Sequence, residues 1–342
     1  MSIENAWYVA AWSEEVTTKP LGRRICNLPI VLFRGFDGAA SALIDSCAHR
    51  GAPLSLGTVV EGGIRCNYHG VVFGCSGRCV EVPNQEKIPE KAQVRSFPLV
   101  EKDKMLWIWT GEPDLADESL ILDYPFHTDP KWPSKMTMAP VAANFQLIAD
   151  NLLDATHLAY VHGGTVGGSN PKVHMSAEQS LKPAANGLRF ERLMRNAPPP
   201  PAYSACVPFE GDIDRWQEFD FVAPSSVLQY SGGVHTGLDR HNTGAPRFDM
   251  RIFHTATPAT DNTCYYFYSV SNGHAADDPQ ATETLFEQVG SAIVEDKLFI
   301  EAQQLRVEEL GEDRLFDNAA DAARMMARRM TKKYFASLSA KS

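Results

Sequence analysis

Two short loops constrain this chain more than anything else in it. They read Cys47-Ala-His49-Arg-Gly51 and, with sixteen residues between His49 and Cys66, Cys66-Asn-Tyr-His69-Gly70. Each offers one thiol and one imidazole. The four are either unrelated buried residues or ligands of one centre, and tight spacing among glycines makes coincidence the poorer account. Zinc stays open as an alternative, but its sites more often pair Cys-x-x-Cys with a separate His pair. A 2Fe–2S cluster fits better, with two thiolates on one iron and two imidazoles on the other. Imidazole in place of thiolate raises the reduction potential, to roughly −150 to +300 mV, and yields a one-electron carrier. The glycine closing each loop permits a tight turn.

The other five cysteines, Cys26, Cys75, Cys79, Cys206 and Cys264, read as small buried hydrophobes. Seven in total is an odd number, ill suited to a disulfide framework and consistent with a reducing cytoplasm. A net charge of −10 argues against nucleic acid as a partner. No apolar run approaches the ~18 residues of a membrane span, and the N-terminus lacks signal-peptide character.

The first 115 residues read as short strands broken by glycine-rich turns, among them Ile30–Arg34, Val71–Phe73 and Met105–Trp109. An acidic, turn-rich stretch at 111–123 suggests a boundary, giving an all-β unit at 1–115 and a second unit at 116–342. The second opens with a strand at 136–142, then a helix over Phe145–Val161 stopped by Gly163-Gly164. Strands at 226–230, 248–256 and 263–270 follow. A long helix at 280–310 and a basic amphipathic helix at about 318–335 end the chain, so the class is α+β.

The predicted helix carries Asn151, Asp154 and His157 at steps of three, close to one face. His162 lies five residues beyond His157, about 140° around an ideal helix. Both reach one metal only if the helix is distorted or ends near His162. Two His and a carboxylate with open positions describe the facial triad of non-haem Fe(II) oxygenases. Asp296 is the best candidate carboxylate, because it interrupts the apolar stripe Val289, Ile293, Ile300, where an unpaired acid is costly. Glu295 ranks second, and Asp154 suits a hydrogen bond to a ligand imidazole. On spacing alone, His157 and His162 are as readily ordinary histidines.

Taken together, these stretches resemble the Rieske non-haem iron oxygenases, and the resemblance runs along nearly the whole chain. It rests on both cluster loops and on Asp150-Asn-Leu-Leu-Asp-Ala-Thr-His-Leu-Ala-Tyr-Val-His162. Trp107-Ile-Trp-Thr-Gly111, Asn196-Ala-Pro-Pro-Pro200 and Glu295-Asp296 extend it toward the oxygenase components of vanillate O-demethylase and dicamba monooxygenase. One departure is Val71, where many members carry Trp.

The resemblance implies an N-terminal Rieske domain, then a catalytic domain with a large antiparallel sheet and covering helices. It implies Cys47, His49, Cys66 and His69 on the cluster and His157, His162 and Asp296 on a mononuclear Fe(II). It implies a head-to-tail homotrimer in which Asp154, beside Asn151, bridges one subunit's cluster to its neighbour's iron. Electrons would come from NAD(P)H through a separate reductase with flavin and a ferredoxin-type cluster, and O2 would be co-substrate.

The implied reaction is O-demethylation of a methoxylated aromatic acid, giving a phenol and formaldehyde. Ring hydroxylation, dihydroxylation or aryl-methyl oxidation is the alternative. His254 and Gln229, on strands, are the candidate substrate residues, with His254 poised to pair an aromatic carboxylate. The run Gly163–Gly168 follows a helix rather than a strand, so it is no dinucleotide loop; it reads as a mobile segment near the site mouth. His127, His174, His235, His241 and His274 read as surface residues. The basic face of the last helix (Arg324, Arg328, Arg329, Lys332, Lys333) reads as solvated.

Overall fold

A computed structural model describes residues 3–168, 170–241 and 244–339. They form two compact units. The first is built on the chain up to Asp123 together with Thr257–Asp261. Its strands are β1 (Trp7–Trp12), β2 (Leu21–Ile25), β3 (Leu28–Arg34), β4 (Ala40–Ile44) and β5 (Thr58–Val60), then β6 (Gly63–Arg65), β7 (Val72–Phe73), β8 (Cys79–Glu81), β9 (Leu99–Lys102) and β10 (Met105–Trp109). They make three small sheets, ordered β1-β10-β9, β2-β3-β4 and β5-β6-β7-β8. Thr257–Asp261 joins this unit through the main chain: Cys26 N–H donates to Pro258 O and Asn27 N–H to Ala259 O. Strands this short bury little each, so the core draws on several. Val31, Phe33, Leu43, Ile64 and Phe73 are fully buried and pack with Cys47 and Cys66.

The second unit, Tyr124–Ala256 with Asn262–Ala336, is organised by one antiparallel sheet of seven strands. These are β11 (Ser134–Val141), β12 (Glu178–Ala184), β13 (Gly187–Ala197), β14 (Ile213–Val222), β15 (Ser226–His235), β16 (Arg247–Thr260) and β17 (Thr263–Asn272), in the order β11-β17-β16-β15-β14-β13-β12. Its helices are α1 (Gln146–Leu153), α2 (Leu158–Val161), α3 (Pro171–Met175), α4 (Pro201–Cys206), α5 (Pro279–Leu310) and α6 (Ala322–Ser339). Asp278 caps α5 through Gln280 N–H, with Pro279 at the first helical position, where a missing N–H costs nothing. Its buried line runs Leu285, Val289, Ile293, Ile300 and Gln304. No helix among the described residues is long and apolar enough to cross a membrane.

The single helix expected over 145–161 is broken. α1 ends at Leu153, and Asp154 adopts an extended conformation (φ −105°, ψ 92°). The cause is local. The Asp154 carboxylate accepts from both the N–H (2.9 Å) and the hydroxyl (2.6 Å) of Thr156, a side-chain-to-backbone bond that competes with helix continuation. The chain re-enters helix at Leu158, with His157 at the N-cap and His162 at the C-cap.

Expectations change at five other residues. His127 and His174 are buried, at 3% exposure each, because His127 Nε2 meets Ser269 Oγ and His174 Nε2 meets the Gly167 carbonyl. Cys75 is exposed, lying in the turn between β7 and β8. Arg328 is half-buried rather than freely solvated. It grips Asp150 from α6 with Nε at 2.9 Å and Nη2 at 2.5 Å, tying α6 to α1. Arg324 is likewise held, by Asp321 and Asp317.

Candidate metal centres

The two cysteine loops share one hydrogen-bond frame. Cys47 N–H donates to Ala52 O and Gly51 N–H to Cys47 O, both at 2.8 Å. Cys66 N–H donates to Val71 O at 2.8 Å and Gly70 N–H to Cys66 O at 2.9 Å. Each loop is thus closed from its cysteine to the glycine four residues on. Both glycines sit at positive φ (+72° and +79°), a region other residues enter only with strain. The frame explains why one loop carries His at the second and the other at the third position: the closure, not the His spacing, is what repeats. The two imidazoles meet edge to face with ring centroids 4.6 Å apart. Cys47 and Cys66 are 4% and 2% exposed. Burial pushes the Cys47 thiol up from its ordinary range; main-chain N–H groups of His49 and Arg50 oppose the shift, and Cys66 beside it adds to it. Two adjacent buried sulfurs facing N–H donors form a donor set that a cationic cluster would satisfy.

In the second unit, His157, His162 and Asp296 bring one donor atom each to within 4.8 Å of one another. Asp296 Oδ1 lies 2.9 Å from His162 Nε2 and 3.4 Å from His157 Nε2. Ligands ~2.1 Å from a metal at right angles lie about 3 Å apart, so the set fits an ion. The break after α1 makes this possible, since a continuous helix would splay the two rings.

Each imidazole has its other nitrogen occupied. His157 Nδ1 is 2.5 Å from the main-chain carbonyl of Asp154, and His162 Nδ1 is 2.7 Å from Glu295 Oε2. Acceptors there fix the ring and leave Nε2 bare for a metal. The hydrogen bond expected from the Asp154 carboxylate is therefore made by its carbonyl, because the carboxylate is engaged with Thr156. Asn151 Nδ2 donates to Asp296 Oδ1 at 3.0 Å. Burial would raise the Asp296 pKa, but both imidazoles hold it well below the usual carboxylate range. Burial works the other way on His162, yet Asp296 and Glu295 raise it above its ordinary value.

A pocket of about 600 Å³, counting its open mouth, lies over this trio. Leu158, Val166, Phe219, Ile252 and Val289 supply apolar wall; Tyr203, Gln217, Gln229 and His254 supply polar wall. Gln229 and His254 thus stand in the same pocket as the trio. His254 is spoken for on both sides, by Tyr266 OH at 2.7 Å and Gln229 Oε1 at 3.1 Å. Burial pushes its pKa down to about 3, so it stays neutral. After His162 the chain turns back at once, with Gly167 N–H donating to His162 O at 3.0 Å. A Cβ on Gly167 would stand 1.9 Å from Leu158 O, so only glycine fits.

Sequence reading missed Tyr203 and Gln217 as pocket residues. The available signal for Gln217 was the period-two run Arg215, Gln217, Phe219, Phe221 on β14, which places these side chains on one face; Tyr203, on the short helix α4, carried no such signal.

A cluster-type β unit followed in the chain by a sheet-and-helix unit carrying a His-His-carboxylate trio defines a two-centre oxygenase. Residues 6–98 match the Rieske [2Fe-2S] domain and residues 141–337 the vanillate O-demethylase oxygenase C-terminal domain. The chain is 36% identical to the toluene-4-sulfonate monooxygenase system iron-sulfur subunit of Comamonas testosteroni, over 94% of each chain. It is 33% identical to the vanillate O-demethylase oxygenase subunit of Pseudomonas sp. (strain HR199 / DSM 7063), over 96% of this chain and 93% of that one. The crystal structure of dicamba monooxygenase with non-haem iron and dicamba superposes with a TM-score of 0.84 at 31% identity, covering 99% of both chains. The chain belongs to the Rieske oxygenases of the vanillate O-demethylase oxygenase type. It is a Rieske-type monooxygenase.

Proposed function

We propose that this chain demethylates a methoxylated aromatic acid, releasing formaldehyde and a phenol. The observation that carries the reading is the convergence of His157 Nε2, His162 Nε2 and Asp296 Oδ1 under a largely apolar pocket. In this reading those three residues hold a mononuclear iron, and Cys47, Cys66, His49 and His69 hold the cluster. When bound, the two groups supply O2 activation and single electrons, respectively.

The chain's own residues supply geometry. Asp154 O and Glu295 orient the imidazoles, and Asn151 steadies the Asp296 carboxylate. The apolar wall holds an aromatic ring and excludes water, while His254 and Gln229 give it a neutral polar edge. Asp154, through its carboxylate, is the bridge between the cluster of one subunit and the iron of its neighbour. The assembly is a homotrimer in the cytoplasm. Support for an assembly comes from α5, where Val294, Leu298 and Phe299 stand 66%, 65% and 62% exposed, side chains a lone chain would leave in water.

A second reading, oxidation of an aryl methyl group, is favoured by the likeness to the toluene-4-sulfonate subunit. Both are tested by supplying a reductase, NADH and labelled O2 to a panel of methoxybenzoates and 4-methylbenzenesulfonate. Formaldehyde in step with NADH from a methoxybenzoate is expected. Labelled hydroxymethyl product without formaldehyde moves the reading to the second, and native mass spectrometry tests the trimer.

A further inference from the structure

Two arginines lie on the pocket face of the large sheet with no ion-pair partner among the described residues. Arg192 on β13 is 2% exposed and Arg215 on β14 is 1% exposed. Their hydrogen bonds go to neutral oxygens only. Arg192 donates to Gln217 Oε1 at 2.8 Å and to the His174 carbonyl at 3.0 Å; Arg215 donates to the Gly167 carbonyl at 3.2 Å. Arg192 Nε and Arg215 Nε and Nη2 have no partner among the described residues, and neither do the buried Tyr203 hydroxyl and His174 Nδ1. The acids nearby do not neutralise the pair. Asp154 acts on Arg192 only through space, and Asp249 is taken by Arg247 and Arg251. A buried charge without a partner is expensive, and two together more so. Such a site is kept where a ligand completes it.

The pair stands one layer behind the pocket. Arg192 is the register partner of Gln217, and the Arg215 guanidinium is 5.7 Å from the Tyr203 ring. Gln217 and Tyr203 both line the pocket with the His-His-Asp trio. Because Gln217 Oε1 accepts from Arg192, its amide is left to offer N–H donors. Tyr203 OH, unpartnered, is a further donor. At the other polar edge His254 is neutral and engaged on both nitrogens, so it brings no positive charge.

We infer that Arg192 and Arg215 are the positive pole of the substrate pocket, selecting an aromatic substrate by an anionic substituent, carboxylate or sulfonate, seated against Tyr203 and Gln217. The arginines act through these two residues, as positioning and charge-setting groups. The inference rests on this pocket being the substrate site and holds for either reaction proposed above.

The test is a calorimetric comparison on the iron-loaded protein, needing no turnover. The probes are 4-methoxybenzoate against 4-methoxybenzamide, and 4-methylbenzenesulfonate against its sulfonamide. The wild type should bind each anion at least about tenfold more tightly than its amide, the scale of one unit charge across a low-dielectric gap. In Arg215→Met and Arg192→Met that preference should collapse toward one, with amide affinity unchanged. Arg215→Lys should restore part of it. Which anion shows the larger ratio assigns carboxylate or sulfonate.

Removing an uncompensated buried charge should not lower the melting temperature of the ligand-free variants. If a Met variant fails to fold, the wild-type ratio and Arg215→Lys decide. Equal affinity for anion and amide in the wild type overturns the inference, as does an unchanged ratio in folded Arg215→Met. Absence of formaldehyde with the ratio intact would overturn the demethylase reading alone.

Discussion

Asp154 turns its main-chain carbonyl to His157, 2.5 Å from Nδ1, and its carboxylate away, to Thr156. One residue thereby orients an imidazole and breaks a helix with separate groups. Asp154→Asn leaves the carbonyl untouched, and the amide oxygen still accepts from Thr156. Both cluster and mononuclear iron should be retained, with an unchanged cluster spectrum. Turnover with reductase should fall by two orders of magnitude or more if the carboxylate carries the electron route between subunits. Full turnover in the mutant would remove that role.

Glu295 and Asp296 are sequence neighbours with different tasks. Asp296 Oδ1 faces both Nε2 atoms, whereas Glu295 meets His162 at Nδ1 and accepts from the Thr165 hydroxyl. Glu295→Ala should weaken mononuclear iron by roughly ten- to a hundredfold, the usual cost of losing a ligand's hydrogen-bond partner. Asp296→Ala should lose that iron outright. Neither should alter the cluster spectrum. Iron content measured during dialysis against a chelator separates the two, and equal retention in both variants would contradict the assignment.

How much of this was legible in the sequence follows from how local each feature is. The candidate cluster residues lie in two loops closed from cysteine to glycine four residues on, so the pairing of the loops was legible from spacing. Asp296 was legible because an acid on an apolar stripe is anomalous. The break at Asp154 was not read, although Asp154-Ala-Thr156 holds its cause, since helical periodicity across 145–161 is compatible with either outcome. His174, Arg192 and Arg215 were opaque for another reason. The burial of the two arginines depends on which face of β13 and β14 meets the pocket, and that of His174 on α3 folding back against Gly167; charged residues on alternating strands look solvent-facing until the sheet is assembled.

The loop closure makes its own prediction. Gly70 sits at φ +79°, and a Cβ there would stand 2.8 Å from Pro83 Cγ. Gly70→Ala should cost about 1–2 kcal/mol from the left-handed backbone alone, more if Pro83 cannot shift. Thermal loss of the cluster absorbance should move to lower temperature. Gly62, at φ +84° with open space around it, is the control and should show only the backbone cost. Equal shifts for Gly62→Ala and Gly70→Ala would discount the Pro83 contact.

His174 predicts acid sensitivity of the second unit. Burial first, then the positive charge of Arg215, pushes its pKa from 6.5 to about 4. Between those values the unfolded chain binds a proton that the folded chain refuses. Stability from this group is therefore fully present above about pH 6.5 and drains away as pH falls toward 4. The slope is at most about 1.4 kcal/mol per pH unit and half that at pH 6.5, so about 1.5 kcal/mol is lost from pH 6.5 to 5. His254, held down to about 3 by burial, adds a loss of the same sign over a wider span. Metal release on acidification has the same sign, so the measurement is a difference: melting temperature against pH for wild type and His174→Gln at equal iron content. The variant should start less stable at pH 7.5, having lost the fitted imidazole, and should fall less steeply between pH 6.5 and 5. Parallel curves would mean that His174 takes up its proton in the folded protein, in spite of the two guanidiniums beside it.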